Sequence, residues 1–166
     1  IPESFKKTLS LCSVKKVAQN TMVDIFSIAE AKHQVIELVG DDTKIEGDDF
    51  ALSILFKNLI GNAVKYTPEY GEIVVAINTT LKDHVTIVVE DSGPGIPEED
   101  YVRAFDRFYR VGRDQHASGE MGSGLGLSIV NHVVRLHNGQ IKLGSSARLG
   151  GLSAQVDLPI TQKTFL

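Results

Sequence analysis

One cysteine, Cys12, is all the thiol chemistry in these 166 residues. No internal disulfide can form, a usage that fits a reducing cytosol. Long hydrophobic runs are missing too: no apolar stretch approaches the ~20 residues needed to cross a bilayer, and no segment has signal-peptide order. There is no basic surplus either. The 17 Lys and Arg against 21 Asp and Glu leave a net charge of -4, which argues against a nucleic-acid partner. No His/Cys cluster has zinc-ligand spacing, no nucleophile elbow occurs, and there are no internal repeats or low-complexity tracts. What remains is an ordinary globular composition, 42% hydrophobic and 23% charged. It suffices for one domain with a proper core and is too short for two comfortable ones. The sequence opens at Ile1-Pro2 without a methionine, and we expect it to be a piece of a longer protein.

Periodicity gives the elements. Residues 1–11 have no strong period and read as a linker, with a short strand around Phe5–Leu11. Ser13 caps a first helix whose apolar set, Val14, Val17, Ala18, Thr21, Met22, Ile25, Ile28 and Ala29, recurs at helical spacing. Gln34–Val39 and Thr43–Glu46 read as short strands. Asp48 or Asp49 caps a second helix carrying Leu52, Leu55, Phe56, Leu59 and Ala63, which ends before Pro68. Two β-branched runs, Glu72–Thr80 and His84–Asp91, form a hairpin. A mostly non-periodic stretch follows from Gly93 to Gly122, with one helical turn at Glu98–Ala104, and loops of that length are usually functional. A third helix runs from about Gly124 to His137 and stops at Asn138-Gly139. Gln140–Ser145 and Leu152–Leu158 close the chain as another hairpin. The expected fold is a two-layer α/β (α+β) sandwich, with a mixed, mostly antiparallel sheet of about five strands packed against three helices.

Polar residues gather in four places. On the second helix Asn58, Asn62, Lys65 and Tyr66 fall along one stripe beside the apolar face. The carbonyl oxygen of Asn62 suits a hard cation such as Mg²⁺, Asn58 adds a second contact, Lys65 reaches a phosphate, and Tyr66 lies against a base. The bland reading of this stripe is a polar boundary with a Lys favoured by the helix dipole. Asp91 ends a strand and opens the turn Asp91-Ser-Gly93-Pro-Gly95-Ile96. A carboxylate there either bonds its own turn or accepts from an adenine amine, with Gly93 and Gly95 leaving room for the base and Ile96 giving apolar contact. Gly122-Ser123-Gly124-Leu125-Gly126-Leu127 leads into the third helix, where glycine-rich amides make a ready phosphate site. It is not a Walker loop, since Leu125 and Gly126 replace the required Lys and Ser/Thr, and Ile129 breaks the dinucleotide fingerprint. In the long loop, Phe105-Asp-Arg107-Phe-Tyr-Arg110 sets aromatics to anchor a lid and arginines to swing toward phosphates.

In this order the four segments resemble the N, G1, F and G2 boxes of the ATP-binding catalytic domain of sensor histidine kinases, from about Ser13 to Ile160. That resemblance implies the Bergerat (GHKL) fold with a long ATP lid: residues 1–12 a linker from a dimerisation and phosphoacceptor domain, 13–160 the catalytic domain, 161–166 a tail. It implies Mg²⁺-ATP as ligand, metal contacts at Asn62 and Asn58, and Arg110 with Lys65 offsetting charge on the transferred phosphoryl group. His33, His84, His116, His132 and His137 all lack the H-box context of a phosphoacceptor, so the accepting histidine is expected on a separate domain of a homodimer, with a response-regulator aspartate downstream. The resemblance places this fragment in the cytoplasm, without direct membrane contact, of a bacterial inner-membrane sensor. Chaperone, mismatch-repair and gyrase ATPases of the same fold carry a Glu base four residues before the metal-binding Asn. Here that position is Asn58, which cannot take a proton, and this favours transfer to a neutral imidazole over hydrolysis. The lid and glycine turn look most like sensors of the QseC and PmrB type. The alternatives are an ATP-responsive binding module without transfer, or an ATPase.

Overall fold

Side-chain caps start the first two long helices. Ser13 Oγ accepts the Lys16 N–H (3.2 Å) to open α2 (Val14–Ala31), and Asp48 accepts the Ala51 N–H (2.8 Å) to open α3 (Asp49–Tyr66). α3 stops where Thr67 turns to extended backbone ahead of Pro68. The computed structural model describes residues 2–81, 83–109 and 126–162. Ahead of α2 lie a short helix α1 (Glu3–Lys6) and a strand β1 (Ser10–Ser13). Then follow β2 (Val35–Gly40), β3 (Lys44–Gly47), β4 (Glu72–Leu81), β5 (His84–Asp91), α4 (Gly126–Leu136), β6 (Gln140–Ser145) and β7 (Leu152–Pro159).

The strands form one five-stranded sheet, ordered β2-β4-β5-β7-β6, and a two-stranded ribbon of β1 and β3. Only the β2–β4 pair in the large sheet is parallel; the rest is antiparallel. The expected layer architecture therefore stands. Alternate residues of the central strands, Ile73, Val75, Ile77, Val85, Ile87, Val89, Ala154, Val156 and Leu158, are buried on one face. Against them α2 contributes Val17, Ala18 and Ile25, α3 contributes Leu52, Leu55, Phe56, Leu59 and Ile60, and α4 contributes Val130, Val133 and Val134. Among the described residues no helix is long and apolar enough to cross a membrane.

Two local expectations are corrected. The strand placed at Phe5–Leu11 is instead a helical turn followed by β1, because Phe5 turns inward, 8% exposed, with its ring edge-on to His137 at 5.0 Å. β1 finds its partner in β3, far along the sequence, with Ser10 opposite Gly47. The helical turn at Glu98–Ala104 is two 3-10 turns, Glu98–Asp100 and Arg103–Phe105. The first residues expected of the third helix, Gly124 and Leu125, lie outside the described residues.

His137 is wholly buried. Its Nε2 accepts the Asp48 N–H (3.2 Å), so Nδ1–H donates to the Val133 carbonyl (2.8 Å). Burial pushes the imidazole below its ordinary value. Such a group stabilises the fold above the unfolded value and loses that contribution as pH falls toward the folded one, since only the unfolded chain then takes the proton readily. Thermal unfolding followed from about pH 7 to 5 should therefore fall steeply in wild type and more gently in His137→Phe. Parallel curves would remove His137 as the source.

Candidate functional site

The stripe on α3 faces the C-terminal end of β5 across a cavity of about 320 Å³. α3 supplies Lys57, Asn58, Gly61, Asn62, Lys65 and Tyr66 to its wall, and the strand end supplies Val89 and Asp91. Pro94, Gly95 and Ile96 close one side, Gly126 and Leu127 of α4 another, and Leu152 and Ala154 of β7 form the floor.

Asp91 is 5% exposed. Its Oδ1 accepts two backbone N–H groups, from Gly93 (2.9 Å) and Leu152 (3.1 Å), while Oδ2 accepts none from the described residues. The two readings of this residue are thus compatible: one oxygen holds the turn and the other is left to the cavity that Asp91 lines. Burial raises its carboxyl above the usual carboxylate range, and the two N–H bonds work in the opposite direction. Space around it is tight. A Cβ on Gly93 would sit 2.9 Å from the Tyr66 carbonyl oxygen and 3.1 Å from Asp91 Oδ1. Gly93 therefore serves the packing behind Asp91 and is absent from the cavity wall, whereas Gly95, at φ +74°, lies on it.

Asn58 Nδ2 donates to the Ile54 carbonyl of its own helix (2.8 Å). That bond settles the amide orientation and leaves Oδ1 as the outward group. Asn62 touches the start of α4 so closely that a Cβ on Gly126 would lie 2.8 Å from its Nδ2. The Lys65 ammonium stands 5.3 Å from the Tyr66 ring centre. A hard cation takes oxygen ligands and keeps water and phosphate oxygens for the rest. Two amide side chains at one wall offer oxygens of the kind that demand calls for, and no cluster of acidic or His/Cys ligands competes with them among the described residues.

Of the residues singled out in the long loop, Phe105 is half-buried in the second 3-10 turn and Arg107 is exposed, its guanidinium 5.6 Å from the Phe108 ring. Neither lines the cavity. Ala104 and Tyr109 do. Tyr109 donates to Asp100 Oδ2 (3.1 Å), and Arg103 bonds the other oxygen (2.9 Å). Desolvation first, then the Asp100 acceptor, pushes the Tyr109 phenol up to about 12, so it is a neutral donor at physiological pH. Arg110, Gly122, Ser123, Gly124 and Leu125 lie outside the described residues.

Sequence reasoning missed Tyr109, Pro94, Leu152 and Ala154. It also missed Gly151, whose N–H donates to the Asp91 carbonyl (3.0 Å). The pair Gly150-Gly151 before a strand was the available signal for a close backbone approach.

Residues 47–162 match the family described as histidine kinase-, DNA gyrase B- and HSP90-like ATPases. The chain belongs to that ATPase family. Among curated relatives of this ATPase-family domain, it is 40% identical over 150 residues to the sensor histidine kinase CusS of Escherichia coli O157:H7, an alignment spanning 89% of this chain and 29% of CusS. It is 37% identical over 146 residues to the sensor protein kinase PmrB of Pseudomonas aeruginosa, spanning 88% of this chain and 30% of PmrB. The ATPase-family domain thus spans under a third of the length of these relatives. A solved structure of the mycobacterial sensor histidine kinase MprB superposes with a TM-score of 0.82 at 26% identity, covering 93% of this chain and all of that one.

Proposed function

We propose that this domain binds Mg²⁺-ATP and transfers the γ-phosphoryl group to a histidine on a separate dimerisation domain, for relay to a response-regulator aspartate. The observation that carries the reading is Asp91: a buried carboxylate with one oxygen held by backbone N–H groups and the other without a bond among the described residues, on a cavity lined by Asn58, Asn62 and Lys65. An acceptor so buried gains most from a ligand that brings a donor, and the adenine exocyclic amine is one. Asn62 and Asn58 would hold Mg²⁺ through their amide oxygens, and the ion would neutralise phosphate charge. Lys65 and Arg110 offset negative charge on the phosphoryl group in flight. Ile96 and Tyr66 flank the base. Phe105 and Arg107 belong to the lid, and Gly122 to Leu127 wrap the phosphates with backbone N–H groups.

In the transfer itself a neutral imidazole nitrogen offers its lone pair to the γ-phosphorus, and the bond to the β,γ-bridging oxygen breaks as ADP leaves. No proton need be removed beforehand. The amide at Asn58, which cannot act as a base, is compatible with this route and ill suited to activating water.

The test combines this chain, a dimerisation domain bearing an accepting histidine, and γ-labelled ATP. Label on histidine is the expected result, with little free phosphate released by the isolated chain. Steady phosphate release without histidine label would sink the proposal. In the same assay Asn62→Ala should weaken Mg²⁺-dependent nucleotide binding by about tenfold or more, since even groups that only support a metal ligand cost about that much when removed. Equal affinity with and without Mg²⁺ in wild type would take Asn62 out of the metal role.

A further inference from the structure

The last turn of α3 carries two residues of the cavity wall, Lys65 and Tyr66, and a helix end leaves its final carbonyls without partners in the helix. Here those carbonyls are taken up from outside the cavity. Lys32 Nζ donates to the Val64 carbonyl (2.7 Å) and the Lys65 carbonyl (3.2 Å), and Gln34 Nε2 donates to the Val64 (3.0 Å) and Thr67 (2.8 Å) carbonyls. Neither Lys32 nor Gln34 lines the cavity.

The segment that brings these two side chains is itself tied down. His33 adopts φ 53°, its ring stacks on Tyr70 with centres 5.0 Å apart and planes 14° from parallel, and the Tyr70 N–H donates to the Lys32 carbonyl (3.0 Å). One residue on, the Val35 N–H donates to the Gly71 carbonyl (3.0 Å) as β2 begins. The α2–β2 turn therefore grips the α3–β4 turn by backbone, side chain and ring contact.

This grip meets an electrostatic need. The C-terminal end of a helix is the negative end of its dipole, and the last turn of α3 forms part of the wall of a cavity read above as taking a polyanion. Among the described lining residues the cations are Lys57 and Lys65. Each carbonyl bonded by the Lys32 ammonium presents less negative potential to the cavity, and each bond fixes the backbone from which Lys65 and Tyr66 project. We infer that Lys32 and Gln34 are positioning residues for the nucleotide phosphates: a collar outside the cavity that aims Lys65 and offsets the negative helix end, and so selects phosphate-bearing ligands over the nucleoside. This rests on the nucleotide-binding reading above. Asp91 is held by Gly93 and Leu152, so recognition of the base stands apart from the collar.

The experiment is titration of Mg²⁺-ADP and of adenosine into the whole chain and into Lys32→Met, which keeps the aliphatic stem and loses the charge. Mg²⁺-ADP should bind about tenfold more weakly to the variant, adenosine within about twofold of wild type, and Lys32→Arg should restore most of the ADP affinity. Should Lys32→Met fail to fold, Lys32→Gln retains a donor without the charge and should show the same split at about fivefold. A folded variant that binds Mg²⁺-ADP as wild type does, or one that loses adenosine and ADP equally, overturns the inference and leaves the function standing. A wild-type chain that binds neither ligand ends both.

Discussion

Asp91→Asn should bind adenine nucleotides about 100-fold more weakly than wild type, the penalty for losing a hydrogen bond to a charged group and opposing two donors. The amide can keep its oxygen where Oδ1 now accepts the Gly93 and Leu152 N–H groups. Its NH₂ then takes the place of Oδ2 and presents a donor to the donor amine of the base. Folding should not suffer. Burial raises the Asp91 carboxyl, so above the unfolded value of 3.8 the folded chain holds more protons than the unfolded one and stability declines as pH rises through that window. Asparagine carries no such cost, and the melting temperature at neutral pH should equal or exceed that of wild type. Calorimetric titration together with thermal unfolding measures both quantities. Unchanged affinity would remove Asp91 from the site, and a lower melting temperature would show its main work to be structural.

Gly151→Ala is expected to damage stability and binding together. A Cβ there would collide with Asp91 Oδ1 and the Asp91 carbonyl and stand 2.7 Å from the Gly93 nitrogen. Backbone cannot step aside as a flexible side chain does, and overpacking of this kind costs about 1–3 kcal/mol, a drop of roughly 2–12 °C in melting temperature for a chain of this size. Displacing the strand start also strains the Leu152 N–H bond to Asp91 (3.1 Å), so nucleotide affinity should fall by at least about tenfold. The matched control is Gly144→Ala on β6, where a Cβ meets nothing within 4 Å and neither quantity should move. Equal behaviour of the two variants would refute the proposed clash.

Most of the scaffold was legible because local signals and burial agree. The apolar spacing of α2 and α3 and the β-branched runs of β4 and β5 match the buried faces found, except that Ile28, counted with the buried set of α2, is 56% exposed. The N-terminal segment was misjudged because its partners are remote in sequence: Phe5 answers to His137, and β1 to β3. No local period encodes either contact. The site divides in the same way. Asn58, Asn62, Lys65, Tyr66 and Asp91 do converge on one cavity, since helical spacing and a strand end suffice to aim them. Tyr109 takes a wall position while Phe105 and Arg107 do not, an outcome set by the Asp100 bonds and by the left-handed backbone at Phe108 (φ 68°). Alternation along the loop carries no trace of that.

The strand order has a consequence for biosynthesis. β7 lies between β5 and β6, so the second amide that steadies Asp91 belongs to a residue translated 61 positions later. A nascent chain with β4 and β5 already emerged holds only half of the carboxylate's clasp. Ribosome-stalled intermediates ending before Gly150 should therefore be blind to nucleotide, and competence should switch on within the few codons that deliver Leu152 beyond the exit tunnel.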